Sequence, residues 1–385
     1  MERPVGVELF SGVGGMSLGF EQAGFDVVAA FDNDERVVGQ HKVNFPSCLS
    51  LQADLATVTG AELRAKANLG SRKIDVVFGG PPCQAFSVIG RREADDARRN
   101  LLLRFASLTV ELHPDYFVLE NVTGLLDPEF RQLLGETLAI FRSGGYSILE
   151  PIRDLNAAKY GVPQVRRRVF ICGWREGLTP LQYPVPSVGP APTVQDAIGD
   201  LADVGNLNSD KFEGVLPAIA GTNLYAANLR NAAEDPNDRS RRARSADTAL
   251  TGCKVSTHTE AVLKRFSATE PGSQEPVSRY FRLAASGLAN TTRAGTDKSR
   301  GSHTAARQIH PVHARCITVR EAARLHSFPD WFQFDATIWH GFRQVGNSVP
   351  PLLARSVAAE VMKAWLANGS GLADYVSAGD AGAAD

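Results

Sequence analysis

The chain has 385 residues, 43% hydrophobic and 22% charged, with a formal net charge of −1. This length buries a large core and predicts one big domain plus a smaller one, with the composition of a globular protein. No apolar stretch reaches the ~18 residues of a membrane span, and Met1-Glu2-Arg3-Pro4 lacks the basic and apolar regions of a signal peptide.

In chain order, Val5 to Leu9 reads as a first strand, followed by a glycine turn and an amphipathic helical stretch from Met16 to Ala23. Asp26 to Phe31 reads as a strand, Glu35 to Val43 as a helix, and Ile74 to Phe78 as a buried strand. A helix over Asn100 to Leu112, a strand at Tyr116 to Leu119 and a helix over Glu129 to Phe141 follow. Strands near Tyr146 to Leu149 and at Arg168 to Gly173 close the series. This alternation predicts a mostly parallel sheet with helices on both faces.

The texture changes after Trp174: residues 180–193 are proline-rich, and 202–310 are polar with weak periodicity, as in a separate loop-rich module. Residues 250–320 hold eleven Lys and Arg against four Asp and Glu, a pattern suited to a solvated face or a phosphate-binding surface. Helical pattern returns at Thr318 to Leu325 and at Leu352 to Leu366, and the small, acidic residues from about Asn368 onward read as disordered.

Chemistry concentrates at the predicted strand ends. Gly79-Gly80-Pro81-Pro82-Cys83-Gln84 stops a buried strand and mounts a thiol on a stiff turn, at the sheet edge where open α/β folds bind ligands. The five cysteines (48, 83, 172, 253 and 316) are odd in number and scattered, which argues against a disulfide framework and for a reduced, cytoplasmic protein. Phe10-Ser11-Gly12-Val13-Gly14-Gly15 is a loop that lets backbone approach a ligand, with Asp32 placed to hold ribose hydroxyls. Ser17 stands where a dinucleotide fingerprint has its third glycine, so an adenosine-bearing ligand without a pyrophosphate, such as S-adenosylmethionine, fits as well or better. Glu120-Asn121-Val122 follows an apolar strand, where desolvation would keep an acid protonated. Gln164-Val165-Arg166-Arg167-Arg168 places Arg166 and Arg168 on one face of a strand. His310, His313 and Cys316 have zinc-like spacing, but no fourth ligand is near and Pro311 interrupts the run, so no metal is expected.

Together these pieces resemble the cytosine-5 DNA methyltransferase family, in its motif order and from Glu8 to about Lys363. Thr318-Val319-Arg320-Glu321 and Gln344-Val345-Gly346-Asn347-Ser348-Val349-Pro350 match its later motifs. The resemblance implies a Rossmann-like, S-adenosylmethionine-dependent α/β sheet formed by 1–178 with 317–366 returning to it, a target-recognition domain over 179–316, and a tail over 367–385. It implies that Phe10, Ser11, Gly12, Gly14, Gly15, Asp32, Asn33, Asp54, Leu101, Asn347, Ser348 and Val349 line the cofactor. Asn33 departs from the aromatic residue that family members often carry there. Catalysis would rest on Cys83, Glu120, Arg166 and Arg168, and DNA contact on Gln84, Ser87, Arg91, Arg92 and Arg320. The partner would be double-stranded DNA, bound by a monomer of the compact bacterial or phage type, and compatible with a cognate restriction endonuclease. The related tRNA cytosine methyltransferase shares the catalytic motifs, but its Cys-Phe-Thr signature is missing here. A catalytically silent DNA-binding homologue would have no reason to keep Cys83, Glu120 and Arg168 together.

Overall fold

The computed structural model describes residues 3–82, 100–201, 209–212, 224–230, 250–295 and 307–369. Eight strands among them form one sheet: β1 (Val5–Leu9), β2 (Asp26–Asp32), β3 (Leu49–Gln52), β4 (Val76–Gly79), β5 (Tyr116–Val122), β6 (Tyr146–Ile148), β7 (Arg153–Asn156) and β8 (Arg167–Arg175). Their order is β3-β2-β1-β4-β5-β8-β6, with β7 also pairing β8. The first five in that order run parallel, whereas β8 is antiparallel to β5, β6 and β7.

The parallel strands are apolar on both faces because both faces are covered. Val76, Phe78, Tyr116, Val118 and Phe170 face a core built with helices α1 (Gly15–Gln22) and, late in the chain, α11 (Pro351–Ala367). Between these two helices in sequence lie α2 (Glu35–Asn44), α3 (Gly60–Lys66), α4 (Asn100–Leu112), α5 (Arg131–Ser143), α6 (Val194–Ile198), α7 (Leu224–Arg230), α8 (Glu260–Ala268), α9 (Val319–Leu325) and α10 (Ile338–Asn347). Val77, Phe117, Leu119, Val169 and Ile171 face the second core with α3, α4 and α5. The stretch expected to be amphipathic from Met16 is instead buried nearly all round as α1, because it lies between the sheet and α11. Gly19 makes that packing possible, since a Cβ there would lie 2.6 Å from the Arg355 backbone nitrogen.

Several short elements were not foreseen, β3, β7 and α3 among them. β3 and β7 are four-residue edge strands with polar or exposed positions, and α3 is held by a Thr59–Glu62 capping box rather than by strong periodicity. Beyond β8, two strand pieces, β9 (Lys211–Phe212) and β10 (Leu250–Thr251), pair antiparallel. Leu181, Val194, Ala197, Ile198, Leu283 and Ala289 join the large core beside α11. Leu201, Leu250 and Cys253 form a small cluster of their own, as do Phe266, Ile309 and Cys316. No helix among the described residues is long and apolar enough to cross a membrane.

Candidate active site

Strand order dictates where the site sits. β1 leads through α1 to β2 on one side, while β4 lies on its other side, so the connections diverge at the β1/β4 pair and open a crevice at its C-terminal edge. Leu9 and Gly79 are register partners at that edge. The loop after Leu9 and the turn after Gly79 therefore emerge side by side.

The loop after β1 is built for close backbone approach. Phe10, Gly12 and Gly14 all have positive φ (56°, 54° and 97°). A Cβ on Gly12 would meet nothing within 4 Å, so this backbone faces open space, whereas a Cβ on Gly15 would collide with the Val349 carbonyl oxygen. Asp32, at the end of β2, accepts from the Gly12 amide at 2.9 Å through Oδ2 and from the Asp34 amide at 3.1 Å through Oδ1. Each oxygen keeps a lone pair for a ligand hydroxyl. Burial lifts the Asp32 carboxyl above its ordinary range against these two amides. Asn33, Asp54 and Asn347 are exposed around this loop, and Leu101 in the first turn of α4 is half-buried. Ser348 turns its hydroxyl back to the Gln344 carbonyl at 2.8 Å, and Val349 is buried. An open glycine cradle beside a partly accessible acid fits an adenosyl ligand with ribose hydroxyls.

Beneath the loop lies a buried polar chain. Ser17 donates to Glu8 and sits 3.2 Å from His41 Nε2, while His41 Nδ1 is 2.6 Å from Ser50 Oγ. Its sequence signal was Ser17 in the place of a third glycine. Burial raises the Glu8 carboxyl to about 8 and drops the His41 imidazole to about 3, so the chain carries a protonated acid and a neutral ring.

Across the crevice the chain leaves β4 through Gly80, Pro81 and Pro82. Cys83, Gln84, Ser87, Arg91 and Arg92 lie outside the described residues. Asn121 Nδ2 donates to the Pro81 carbonyl at 3.3 Å, and a Cβ on Gly80 would lie 2.7 Å from Glu120 Oε2. The prolines thus hang directly beside Glu120. That acid lies inside β5 rather than beyond it, since the strand runs on to Val122. The β5/β8 register pairs Val122 with Arg168 and Glu120 with Phe170, so Glu120 and Arg168 are diagonal neighbours on one face. Arg168 Nε reaches Glu120 Oε1 at 2.9 Å. Burial nevertheless raises the Glu120 carboxyl, and Arg168 and then Arg166 only moderate the rise.

The other two arginines have different surroundings. Arg166 is 1% exposed and gives its terminal nitrogens to the carbonyls of Thr292 (3.0 Å), Gly346 (2.8 Å) and Ser348 (2.9 Å). Arg320, expected to touch DNA, is also 1% exposed. It donates to Thr251, Pro329 and Phe332 carbonyls at 2.8, 3.1 and 2.6 Å, because its position on α9 faces inward; it braces the interior instead. His310 accepts backbone N–H groups from Val312 and His313 at Nδ1, and Cys316 packs with Phe266 and Ile309.

The C-5 cytosine-specific DNA methylase profile matches residues 5–363. The Type II methyltransferase M.XorII of Xanthomonas oryzae pv. oryzae is 50% identical over 94% of this chain and 86% of its own. The Type II methyltransferase M.AgeI of Thalassovita gelatinovora is 31% identical over 92% and 98%. A solved structure from E. coli, described as a prophage-encoded DNA modification methyltransferase, superposes with a TM-score of 0.78 at 31% identity, covering 94% of this chain and 99% of that one. The S. pombe Dnmt2 methyltransferase, at 17% identity and a TM-score of 0.58 over 94% and 99%, shares the fold. With the profile spanning both the glycine loop and the Glu120–Arg168 pair, this chain belongs to the C-5 cytosine-specific DNA methylase family and is an S-adenosylmethionine-dependent DNA (cytosine-5-)-methyltransferase.

Proposed function

We propose that the enzyme methylates carbon 5 of a cytosine swung out of a specific duplex sequence, through a transient covalent bond to Cys83. The observation that carries this reading is the placement of Glu120, paired with Arg168, against the Gly80–Pro82 turn from which Cys83 follows. A stacked base is out of reach of such a crevice, so it must leave the helix.

Carbon 5 of cytosine is a weak nucleophile until a thiolate adds at carbon 6. In this reading the Cys83 sulfur forms that bond, and the ring electrons move toward carbon 5 and nitrogen 3. Glu120, whose carboxyl burial raises above its ordinary range, hands a proton to nitrogen 3 and takes up the growing charge. Arg168 holds Glu120 by Oε1, which leaves Oε2 on the Gly80 side for the base. S-adenosylmethionine supplies the electrophilic methyl group, held by the Phe10–Gly15 loop and Asp32. Loss of the carbon 5 proton to a base, with return of the nitrogen 3 proton to the Glu120 carboxylate, then restores the ring and expels the Cys83 thiolate. The relatives' Type II names support a place in a restriction–modification system, opposite an endonuclease that cuts the same sequence.

The test is to incubate the purified protein with S-adenosylmethionine and unmethylated genomic DNA, and map 5-methylcytosine at single-base resolution. Methylation confined to one short sequence, and abolished in Cys83→Ala, is the expected result. Transfer to a tRNA pool with none to DNA would refute the DNA substrate, and methylation by Cys83→Ala would refute the covalent step.

A further inference from the structure

Arg166 stands two residues before Arg168, and family resemblance alone would give both the same work. Their partners separate them. Arg168 meets a carboxylate in the crevice. Arg166 meets three backbone carbonyls from two distant segments, Thr292 on one side and Gly346 and Ser348 on the other.

Gly346 and Ser348 flank the C-terminal end of α10, where orphan carbonyls carry partial negative charge and a cation is favoured. The same segment continues to Val349, whose carbonyl packs on Gly15 of the glycine loop. Thr292 belongs to a stretch tied to the start of β8 by further bonds. Val165 N–H donates to the Ala289 carbonyl at 2.8 Å, Thr291 Oγ1 to the Val165 carbonyl at 2.7 Å, and the Thr292 amide to Gln164 Oε1 at 3.2 Å. A Cβ on Gly346 would meet the Arg293 carbonyl oxygen at 2.7 Å, so the two segments also touch directly.

His326 locks the arrangement in one protonation state. Its Nε2 donates to the Ser348 carbonyl at 2.9 Å, which leaves Nδ1 to accept from Gln164 Nε2 at 3.2 Å. A second ring proton would point at that amide donor and add a charge beside Arg166. Burial and Arg166 accordingly push the ring well below its usual range.

We propose that Arg166 is a positioning residue that couples the cofactor-lining segment 346–349 to the 289–293 stretch of the region between β8 and α9, and that it does not touch the reacting base. The proposal rests on the reading that 347–349 lines the cofactor pocket and that the region after β8 handles DNA. Removing the clasp should loosen both segments at once while leaving Glu120 and Arg168 in place.

The test compares wild type, Arg166→Lys and Arg166→Met in the full chain. S-adenosylhomocysteine affinity is measured by calorimetry, DNA KM by steady-state methylation, and the methylation rate by single turnover at saturating substrates. Arg166→Met should weaken S-adenosylhomocysteine binding and raise DNA KM together, each by roughly tenfold or more for the lost charged hydrogen bonds. The saturated single-turnover rate should fall much less than either affinity, because Arg166 acts on the reacting groups only through its charge near Glu120. Arg166→Lys keeps the charge but not the fork of donors, so it should fall between and remain folded should the methionine variant misfold. A saturated rate that collapses while both affinities hold would overturn the proposal and make Arg166 catalytic. Wild type that binds S-adenosylhomocysteine but methylates no DNA would instead defeat the reading beneath it.

Discussion

Glu120→Gln is the sharpest probe of the site because it preserves shape and removes only a titratable proton. In the wild type Oε1 faces Arg168 Nε at 2.9 Å and Oε2 faces the Gly80 side. The amide should therefore turn its oxygen to the guanidinium and its NH2 toward the crevice. A donor for ring nitrogen 3 survives, so the extruded base should still be held. What disappears is the ability to hand over a proton as charge grows on the ring, and a loss of that kind costs about 10²–10⁴ in rate. The lost ion pair also costs stability, but Arg168 retains 14% side-chain exposure, so the penalty stays below the ~3–5 kcal/mol of a fully buried pair. Rapid-quench single turnover on an oligonucleotide carrying the target sequence gives the rate, and fluorescence anisotropy gives the DNA Kd. We expect the rate to fall by about 10²–10⁴ while Kd moves by less than about threefold. The burial-raised pKa adds a second signature: wild-type activity should decline as pH rises through that pKa, and the glutamine variant should lack that decline. Equal losses in rate and affinity would refute the argument, because they would make Glu120 a binding group.

Three further outcomes follow from the same packing. Glu8 holds its proton in the fold up to about pH 8, whereas the unfolded chain releases it near 4.5. Its contribution is therefore full below the unfolded value and is lost toward about pH 8, at roughly 1.4 kcal/mol per pH unit. Urea unfolding of Glu8→Gln should lack that slope, and parallel pH profiles for the two proteins would show Glu8 to be ionised in the fold. Arg320→Ala strands three buried carbonyls, at about 1–3 kcal/mol each before relaxation, so Tm should drop sharply with the salt dependence of DNA binding unchanged. A salt slope shallower by about one with Tm intact would restore Arg320 to the DNA surface. Gly15→Ala should weaken S-adenosylhomocysteine binding measured by calorimetry, because the added Cβ must push the Val349 carbonyl away from the glycine loop; unchanged affinity would mean that 347–349 does not shape the pocket.

The parallel half of the sheet was legible because its strands are buried on both faces and read as unbroken apolar runs, as Val76-Val77-Phe78 and Tyr116 to Leu119 do. The place of the site followed from the same reading, since glycines and prolines mark the strand ends at 10–15 and 79–82. Strand β3 and strand β7 escaped because a short edge strand needs no apolar alternation; a neighbour supplies its ladder and solvent takes its outer face. The extension of β5 through Glu120 escaped for a related reason. Period-two reasoning stops at the first acid, yet β8 pairs all seven residues of β5 and pays for the burial of Glu120 with Arg168. The Glu8–Ser17–His41–Ser50 chain joins four residues spread over more than forty positions, and only the fold brings them together.

Arg166, Arg168 and Arg320 show what sequence pattern withholds even where a motif is recognised. All three carry the same planar fork of donors. What each does is decided by its acceptor: a carboxylate in the crevice for Arg168, helix-end and loop carbonyls for Arg166, and interior carbonyls below α9 for Arg320. A carboxylate partner can exchange protons and bonds with a substrate, so Arg168 stands next to chemistry. Backbone carbonyls cannot, and a guanidinium buried among three of them serves as a fixed strut. Strand period predicts residues 166 and 168 on one face, but Arg166 lies one residue before the start of β8. Two residues back from Arg168 is far enough to pass from the crevice into the wall that holds the crevice open.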